Sequence, residues 1–420
     1  MRAHASALRF ATYAFAATAL FGSIAQATNG YLMDGYGVKS LGVAGVGVAL
    51  PQDALAAASN PAGTALIGNR FDIGVTLFAP EYNADIVGNG FGANGHYGGS
   101  TKKFLIPELG YSHGFSDLLS AGVSLYGNGG MTTEYRQNPF SAFGAQGRAG
   151  VNLSQLFVTP SLAWTPTANQ ALGLALNVAY QRFSAEGLNI FSSSSVAPAD
   201  LTNRGTDTST GVGAKLGWTG QIFGALSGGV SWSSKIKASK FKDYSGLFAD
   251  GGSFDIPETF GIGLSYKVAP GLTLAADGQR IQYGAVRAIA NPLSNLFAGN
   301  PLGSANGPGF GWRNISVLKL GAVYHLDEAL TVRAGYSHSG QPIPADQTFF
   351  NILAPGVITD HVAVGATYKV TRRGELSFAY TYAVKQTVRG SGSIPANFAG
   401  GNANIDLSEN IFSVAYGWKF

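Results

Sequence analysis

The sequence predicts an all-β fold, a transmembrane antiparallel 14-stranded β-barrel with an N-terminal, partly helical hatch (plug) in its lumen. Three observations lead to this prediction. Hydrophobic residues make up 45% of the 420 residues and charged residues only 12%, about half the usual share in soluble domains. Beyond an N-terminal export signal, no stretch offers the roughly 20 apolar residues that a membrane-spanning helix needs. Apolar residues instead alternate with small or polar ones, and short connections alternate with long ones.

The first element, residues 1–27, is typical of a secretory signal peptide. Arg2 and Arg9 form its basic region, Phe10–Ile24 its apolar region, and Ala25-Gln26-Ala27 its cleavage site. An uncleaved membrane anchor is the alternative, which the shortness of the apolar run disfavours. The chain contains no cysteine, which excludes disulfides, thiol catalysis and a lipidated N-terminal cysteine. Its formal net charge of +4 is too small to indicate nucleic-acid binding.

The second element, residues 28–69, is the predicted hatch. Pro51–Ala58 predicts a short helix, because proline suits the first helical turn and alanine propagates it. Asn60-Pro61-Ala62-Gly63 predicts the turn that ends it. Such a short helix is not stable alone in water, so it needs a surface to pack on, and a barrel lumen provides one. A periplasmic tether is the alternative.

The third element, residues 70–420, is the predicted barrel. Leu172, Leu174 and Leu176 alternate with Gly173 and Ala175, which gives a strand one apolar face and one small or polar face. A β-sandwich would show the same alternation, but alternating short and long connections are typical of bacterial outer-membrane barrels. The predicted strands are Phe71–Pro80, Phe104–Gly114, Ser120–Gly127, Gln155–Thr165, Ala171–Phe183, Gly211–Trp218, Gly224–Ser234, Asp255–Val268, Leu272–Tyr283, Ser316–Leu326, Leu330–His338, Asp360–Val370, Gly374–Val384 and Glu409–Phe420.

The last strand ends on an aromatic residue, Phe420, and we expect the barrel-assembly machinery to recognise it there. The predicted location is the bacterial outer membrane, with the barrel in contact with lipid and lipopolysaccharide. Aromatic residues near strand ends are expected to form the interfacial girdles. They are Trp232, Tyr266, Tyr324, Tyr336 and Tyr368.

Strand alternation also predicts which charged side chains face the lumen. They are Asp72, Glu108, Lys215, Asp277, Lys319, Arg333 and Glu375. They form no ring of like charge such as ion-selective pores use, so we expect them to pair with each other or with the hatch. The long loops are rich in apolar residues, which indicates either a binding surface or a lid of loops packed on one another.

The sequence resembles a known family, the FadL/TodX-type outer-membrane transporters. The resemblance rests on Asn29-Gly30-Tyr31, Gly35–Gly42, Leu50–Ala54 and Asn60–Gly63, and extends over essentially the whole chain after residue 27. It implies a monomeric fourteen-stranded barrel plugged by an N-terminal hatch. The implied function is passive diffusion of long-chain fatty acids, or of other hydrophobic molecules such as aromatic hydrocarbons, across the outer membrane.

The resemblance also implies site residues. Ligand would first bind loops 184–210 and 235–254, then a pocket at the N-terminus, and leave sideways through a kinked third strand. The implied ligand-binding residues are Asn29, Gly30, Tyr31, Leu32, Phe241, Tyr244, Leu247 and Phe248, the hatch motif is Asn60, Pro61 and Ala62, and the kink is Gly127, Asn128, Gly129 and Gly130. The glycines of the kink independently favour a bend or bulge.

The predicted ligand is a long-chain fatty acid, and its carboxylate requires a cation. Lys39 and Arg333 are the predicted ligand-binding cations, with Lys215 and Lys319 as further candidates. Aromatic hydrocarbons or alkanes, which need no cation, are the alternative ligands, and a general diffusion porin is the alternative function. The histidines have no serine or aspartate partner at a recognisable spacing, so we predict no enzyme, and no cofactor or metal.

Overall fold

A computed structural model of the protein describes residues 29–100 and 103–420. The predicted signal peptide, residues 1–27, lies outside the described residues. Within them the chain forms the predicted closed antiparallel barrel, in which each of fourteen strands pairs with its neighbours in sequence. The strands are β1 Arg70–Val87, β2 Phe104–Gly114, β3 Leu119–Tyr135, β4 Ala149–Thr167, β5 Gln170–Glu186, β6 Asp207–Phe223, β7 Leu226–Ser233, β8 Thr259–Ala269, β9 Leu272–Ile281, β10 Ile315–His325, β11 Leu330–Ser339, β12 Asp360–Lys369, β13 Gly374–Val388 and β14 Asn402–Lys419.

Pairing of the last strand with the first closes the barrel. The ladder between β14 and β1 runs from Lys419 opposite Arg70 to Asn402 opposite Val87, which is the whole length of β1. A short additional strand, Gly95–Gly98, pairs with the far end of β1, beyond the point where β2 pairs with it. A closed sheet leaves no free edge in the bilayer, where unpaired backbone groups would be costly.

Several strands are longer than the sequence predicted. The structure extends β1 beyond Pro80, β3 beyond Gly127, and β14 back beyond Glu409. Polar and buried apolar residues alternate in the extensions of β1 and β14. Asn83 of β1 donates to Asp406 Oδ1 of β14 at 3.0 Å, and Tyr82 and Leu407 pack in the apolar core. Pairing therefore continues beyond the predicted bounds, supported by side chains as well as by the backbone.

The two faces of the barrel differ as the alternation predicted. Leu172, Leu174 and Leu176 are exposed on the outside, whereas Gly173 and Ala175 between them are buried. The four tyrosines predicted for the girdles are exposed. Trp232 is half-buried and its indole N–H donates to Glu258 Oε1 at 2.7 Å.

From residue 29 onward, the hatch contains three short helices and one 3₁₀ turn. They are α1 Val38–Leu41, α2 Ala56–Ser59, the 3₁₀ turn Pro61–Gly63, and α3 Thr64–Ile67. The predicted helix over Pro51–Ala58 is wrong in its bounds, because the Asp53 carboxylate accepts the backbone N–H of Leu55 at 3.0 Å and holds a turn there. No helix among the described residues is long and apolar enough to cross a bilayer.

The long loops carry the remaining short helices. These are Ala249–Gly252, Arg287–Ala290, Ser294–Phe297 and Thr348–Asn351, with 3₁₀ turns at Ser141–Phe143, Asn189–Ser194, Pro198–Asp200, Lys242–Tyr244, Tyr283–Ala285, Ala345–Gln347 and Ala396–Phe398. Their apolar side chains pack together into one large buried cluster over the end of the barrel, which also includes Tyr31 and Leu32 of the hatch.

Candidate functional site

Each of the seven charged side chains predicted to face the lumen is buried and bonds to the hatch. Three of the acids accept backbone N–H groups of the hatch: Asp72 from Ala54 at 2.9 Å, Glu108 from Val38 at 3.1 Å, and Asp277 from Gly47 at 2.7 Å and from Val48 at 2.9 Å. The fourth acid, Glu375, pairs with the Lys39 side chain. The cations bond to it as follows: Lys215 donates to the carbonyl of Ala58, Lys319 to the carbonyl of Asp34, and Arg333 to Gln52 Oε1 at 2.7 Å. The hatch therefore occupies the lumen.

Lys39 belongs to a buried ion network rather than to an open surface. Its ammonium pairs with Glu375 and donates to the carbonyl of Gln52 at 3.2 Å. Arg70 bonds to the same carboxylate at 2.6 Å and to Asp72 at 2.6 and 2.7 Å. Burial, followed by the charge of Arg70, lowers the pKa of Lys39, and Glu375 opposes this shift.

Asp53 lies in the hatch beside the same network. Burial, followed by the negative charge of Asp72, raises the pKa of Asp53 to about 6, against the opposing effects of Lys39 and Arg70. The interior of the hatch is therefore sensitive to protonation in a weakly acidic range.

The hatch motif docks on two glycines of the wall. Asn60 donates to the carbonyls of Val48 at 2.8 Å and of Trp218 at 2.9 Å. A Cβ on Gly217 of β6 would lie 1.9 Å from Asn60 Oδ1, and one on Gly173 of β5 would lie 2.1 Å from the nitrogen of Ala62. These two glycines face each other across the ladder, so the pair forms a flat surface that admits the hatch motif.

The first residues of the hatch are enclosed by aromatic side chains of the loops. Tyr31 is fully buried, with ring centroids of Phe254, Tyr283 and Trp312 at 5.9, 5.3 and 6.1 Å. Gly30 has a φ of 73°, and a Cβ there would lie 2.7 Å from the Tyr283 hydroxyl. The structure thus brings the predicted N-terminal residues, Asn29 to Leu32, into one buried site.

Beside this N-terminal site lies a cavity of about 70 Å³, which we call the inner cavity. Two cations, Lys215 and Lys319, line it. Lys319 lies 3.5 Å from the Asp34 carboxylate. Lys215 bonds to the carbonyl of Ala58, and no carboxylate of the described residues forms an ion pair with it. Neither Lys39 nor Arg333 lines this cavity, so their assignment as ligand-binding residues stays a prediction.

A second cavity, of about 40 Å³, lies among the long loops, and we call it the outer cavity. Its walls are apolar: Val151, Phe183, Leu188, Phe191, Leu247, Phe248, Ala288, Leu302, Pro308, Gly309, Phe310, Phe350 and Leu353. Of the four predicted loop residues, Leu247 and Phe248 line it, whereas Phe241 and Tyr244 are fully buried in the loop cluster. The apolar loops therefore pack on one another and also leave a cavity.

The third strand carries a bulge at the predicted kink. Gly127 and Gly129 lie opposite consecutive residues of β4, so Asn128 is the extra residue. The hatch pairs with this bulge: the N–H of Met33 donates to the carbonyl of Asn128 at 3.0 Å, and that of Gly130 to the carbonyl of Tyr31 at 2.9 Å. A bulge bends its strand and releases backbone groups from the ladder. Here the hatch forms hydrogen bonds with the released groups.

The wall is not continuous beside this bulge. The ladder between β2 and β3 ends at Leu109 opposite Leu125. Within the described residues, the next bridge of β3 to another segment of the wall joins Tyr135 to Gly99, and in the interval between them Leu32 of the hatch bridges to Gly129. We call the interval between Phe104–Glu108 of β2 and residues 126–133 of β3 the wall opening.

Comparison with known proteins identifies the family. The family model for outer membrane protein transport proteins (OMPP1/FadL/TodX) matches residues 18–420. The chain belongs to this family. No protein of the curated set matches the sequence significantly. The FadL/TodX membership establishes an outer-membrane protein of a family that transports hydrophobic compounds.

Solved structures agree with this fold. The Pseudomonas putida toluene transporter TodX is 17% identical, with a TM-score of 0.66 over 92% of this chain and 99% of that one. A Pseudomonas aeruginosa FadL homologue is 16% identical, with a TM-score of 0.73 over 93% of this chain and 100% of that one. The Ralstonia pickettii toluene transporter TbuX is 17% identical, with a TM-score of 0.65 over 92% and 99%. Identities this low show the FadL/TodX fold alone.

Three buried groups of this FadL/TodX barrel escaped the sequence prediction. Arg70 precedes the predicted first strand by one residue, so its part in the ion network was missed. His361 and Glu409 face inward and are fully buried, and strand alternation would have indicated both. Within residues 29–100 and 103–420, no three His, Asp or Glu side chains are placed to hold a metal ion.

Proposed function

We propose that the protein takes up long-chain fatty acids by passive diffusion, from the outer cavity to the inner cavity and then sideways through the wall opening. The observation that carries the choice of ligand is Lys215, a buried cation in the inner cavity without a carboxylate partner among the described residues. Removing a charge from water is costly unless it is paired, so a ligand carboxylate would stabilise Lys215 and be stabilised by it.

The outer cavity suits the capture of an alkyl chain. All of its lining residues are apolar, and the cavity is closed on one side by the loop cluster. Each buried methylene of a ligand gains about 0.8 kcal/mol, which favours transfer of part of an alkyl chain from water onto this lining. The family, the location and the apolar lining together support capture at the loops.

The wall opening supports release into the membrane rather than into water. It lies beside the bulge at Asn128, a residue that also lines the inner cavity. A ligand leaving the inner cavity at this point would pass directly from protein to lipid. An open water-filled pore is disfavoured, because the hatch bonds to every one of the seven charged inward side chains.

Replacing Lys215 by methionine tests the ligand. In a strain lacking the native gene, we expect K215M to lower oleate uptake about tenfold and to leave toluene uptake unchanged. The exposed Lys267 provides the matched control, K267M, which should transport both compounds as the native protein does. Equal oleate uptake by K215M and native protein would refute the assignment of Lys215.

Deleting Asn128 tests the route. The deletion removes the extra residue of the bulge, so β3 would pair with β4 in continuous register and the wall opening would narrow. Uptake of oleate should fall severalfold while the heat-dependent gel shift of a folded barrel is retained. Undiminished uptake by this variant would argue for a route through the hatch instead.

Hydrocarbons are the second candidate, supported by the outer cavity. Its lining offers no polar group to a carboxylate head, and a toluene-sized molecule needs none. Growth and uptake measured in parallel on oleate, alkanes and toluene distinguish the two candidates. Uptake of toluene without oleate by the native protein would favour the hydrocarbon function.

A further inference from the structure

A groove lies on the lipid-facing surface of the barrel and ends at the wall opening. Its volume is about 570 Å³, within the range of pockets that hold small molecules. Outward-facing side chains of five neighbouring strands line it, in the order β12, β13, β14, β1 and β2. At its β2 end lies Leu105, which is 62% exposed and belongs to the edge of the wall opening. We call this feature the surface groove.

The strand register gives the direction and the length of the surface groove. One row of its side chains lies directly opposite one another on successive strands: Val364, Tyr380, Phe412, Leu77 and Leu105. Neighbouring strands are about 4.8 Å apart, so this row spans about 19 Å from β12 to β2. The groove is therefore comparable in length with a long alkyl chain, and it runs across the strands towards the wall opening.

A second row of side chains borders the groove, two residues further along each strand. It consists of Ala366, Phe378, Val414 and Val75. Gly365, Ala379 and Ser413 also line the groove, but their positions in the strands face inward, so only their backbone can reach the outside. The groove thus has bulky aromatic and aliphatic sides over a backbone floor.

The polar groups of this lining are already bonded. The Tyr380 hydroxyl donates to Asn410 Oδ1 at 2.7 Å, while the Tyr380 ring lies beside that of Phe412 with centroids 4.7 Å apart. The Ser413 hydroxyl lies 2.8 Å from that of Thr76 inside the barrel. A molecule in the groove therefore meets an apolar lining, which suits an alkyl chain and not a charged head group.

The direction of the groove favours a chain that comes from the wall opening over a chain of the surrounding lipid. The strands of outer-membrane barrels are tilted by about 35–45°, so a groove that runs across them crosses the lipid chains obliquely. A lipid chain, which stands along the membrane normal, can fill it only over a short stretch. A chain that emerges beside Leu105 can lie along its whole length.

We infer that the surface groove receives the alkyl chain of a fatty acid as it leaves the wall opening, and guides it from the barrel into the bilayer. This inference rests on the proposed function, because it extends the proposed exit route onto the outside of the wall. Lipid tails are as apolar as aliphatic side chains, so the groove holds the chain only through packing against residues such as Phe378 and Phe412. Such weak retention allows the chain to exchange with lipid and leave.

Filling the groove tests its part in transport. Val414 lies in the middle of the groove, two strands from the wall opening, and Val414→Trp should lower oleate uptake about threefold. Val212 of β6 is an exposed outward valine away from the groove, and V212W is the matched control, which should take up oleate as the native protein does. If V414W does not assemble, as judged by the heat-dependent gel shift, A366W fills the groove at its β12 end instead.

Photolabelling identifies what occupies the groove. A fatty acid with a diazirine near its methyl end, added to cells and illuminated during uptake, should label the groove strands of the native protein about fivefold more than the outward face around Leu176 and Val212. Deleting Asn128 should remove this excess, because the chain would no longer reach the groove through the wall opening. A diazirine-bearing phospholipid in liposomes with the purified protein should label both faces equally.

The outcomes separate this inference from the proposed function. Equal labelling of both faces by the fatty acid, or the same excess with the phospholipid or after deletion of Asn128, would overturn the inference, and an excess with the phospholipid would assign the groove to membrane lipid. Oleate uptake at the native rate by a groove-filled variant would also overturn it and leave the proposed function standing. Should neither groove-filled variant assemble, photolabelling of the native protein decides. Native protein that takes up no oleate would overturn both proposals.

Discussion

Replacing Glu375 by alanine tests what Lys39 does in this protein. In the structure the Glu375 carboxylate pairs with Lys39 of the hatch and with Arg70 of β1. Its removal leaves Lys39 with one remaining partner, the carbonyl of Gln52, while Arg70 keeps Asp72. The variant therefore creates an unpaired ammonium at the contact between hatch and wall.

The expected cost follows from the burial of this pair. The side chains of Lys39 and Glu375 are each 8% exposed, so water screens the exposed charge poorly. Removing one partner of a buried ion pair costs about 3–5 kcal/mol, and each 1.4 kcal/mol is a factor of ten in population. The state in which the hatch has left its docked position in the lumen should therefore be at least about a hundredfold more populated in E375A than in the native protein.

Two measurements report this population. Single-channel recordings in planar bilayers should show more frequent or larger openings of E375A, and protease should cleave its hatch faster. The heat-dependent gel shift checks that the barrel itself is intact. The double variant K39M/E375L serves as the control, because replacing both members of a buried pair by apolar residues is often close to neutral; its hatch should be docked again.

The same variants decide between two roles of Lys39. If the residue anchors the hatch, K39M/E375L takes up oleate as the native protein does. Loss of oleate uptake by a double variant with a docked hatch would instead support the sequence-based prediction that Lys39 binds ligand. Native conductance and native protease resistance of E375A would refute the reasoning about the buried network.

Three further predictions follow from other contacts. The G217V variant should displace the hatch motif and raise conductance, since its Cβ would lie 1.9 Å from Asn60 Oδ1, whereas G278A, whose nearest neighbour would be at 3.4 Å, should not. The pKa of Asp53 is about 6 in the docked hatch against an ordinary 3.8, so the docked state binds more protons than the released state. Docking should therefore weaken by up to about 3 kcal/mol as the pH rises from about 4 to above 6. Conductance recorded at pH 4 and at pH 7 checks this, and the D53N variant should show no such dependence. Deletion of Phe420 should lower the amount of assembled barrel in the outer membrane, measured by the heat-dependent gel shift, with deletion of Gly68 in the hatch as the control.

The sequence predicted the barrel well because the bilayer imposes a simple rule on it. Outward side chains must be apolar, so Leu172 and its neighbours reveal both the strand and its orientation, and the same parity gave all seven inward charges. The bounds of the strands were less predictable, since the apolar residues in the extensions of β1 and β14, such as Tyr82 and Leu407, lie in the buried core cluster rather than on the exposed outer face. The kink at Gly127 to Gly130 was predictable from its glycines, whereas its hydrogen bonds with the hatch depend on contacts distant in sequence.

The candidate site was harder to predict, because its properties arise from what surrounds each group. Lys39, Lys215 and Arg333 look equivalent in the sequence, yet only Lys215 lines the inner cavity. Phe241 and Phe248 belong to one apolar loop, yet only Phe248 lines the outer cavity. Strand alternation places Glu409 on the inward face of its predicted strand, but its lack of hydrogen-bond partners becomes visible only when Pro80 and Ala383 are placed beside it.

The pairing of Met33 and Tyr31 with the bulge of β3 has a mechanical consequence. The leading peptide substitutes for part of a neighbouring strand, because it satisfies the amides and carbonyls that the extra residue sets free. The hatch and the wall opening therefore share one set of hydrogen bonds. Moving residues 31–33 away from β3 would leave the carbonyl of Asn128 and the amide of Gly130 without these partners.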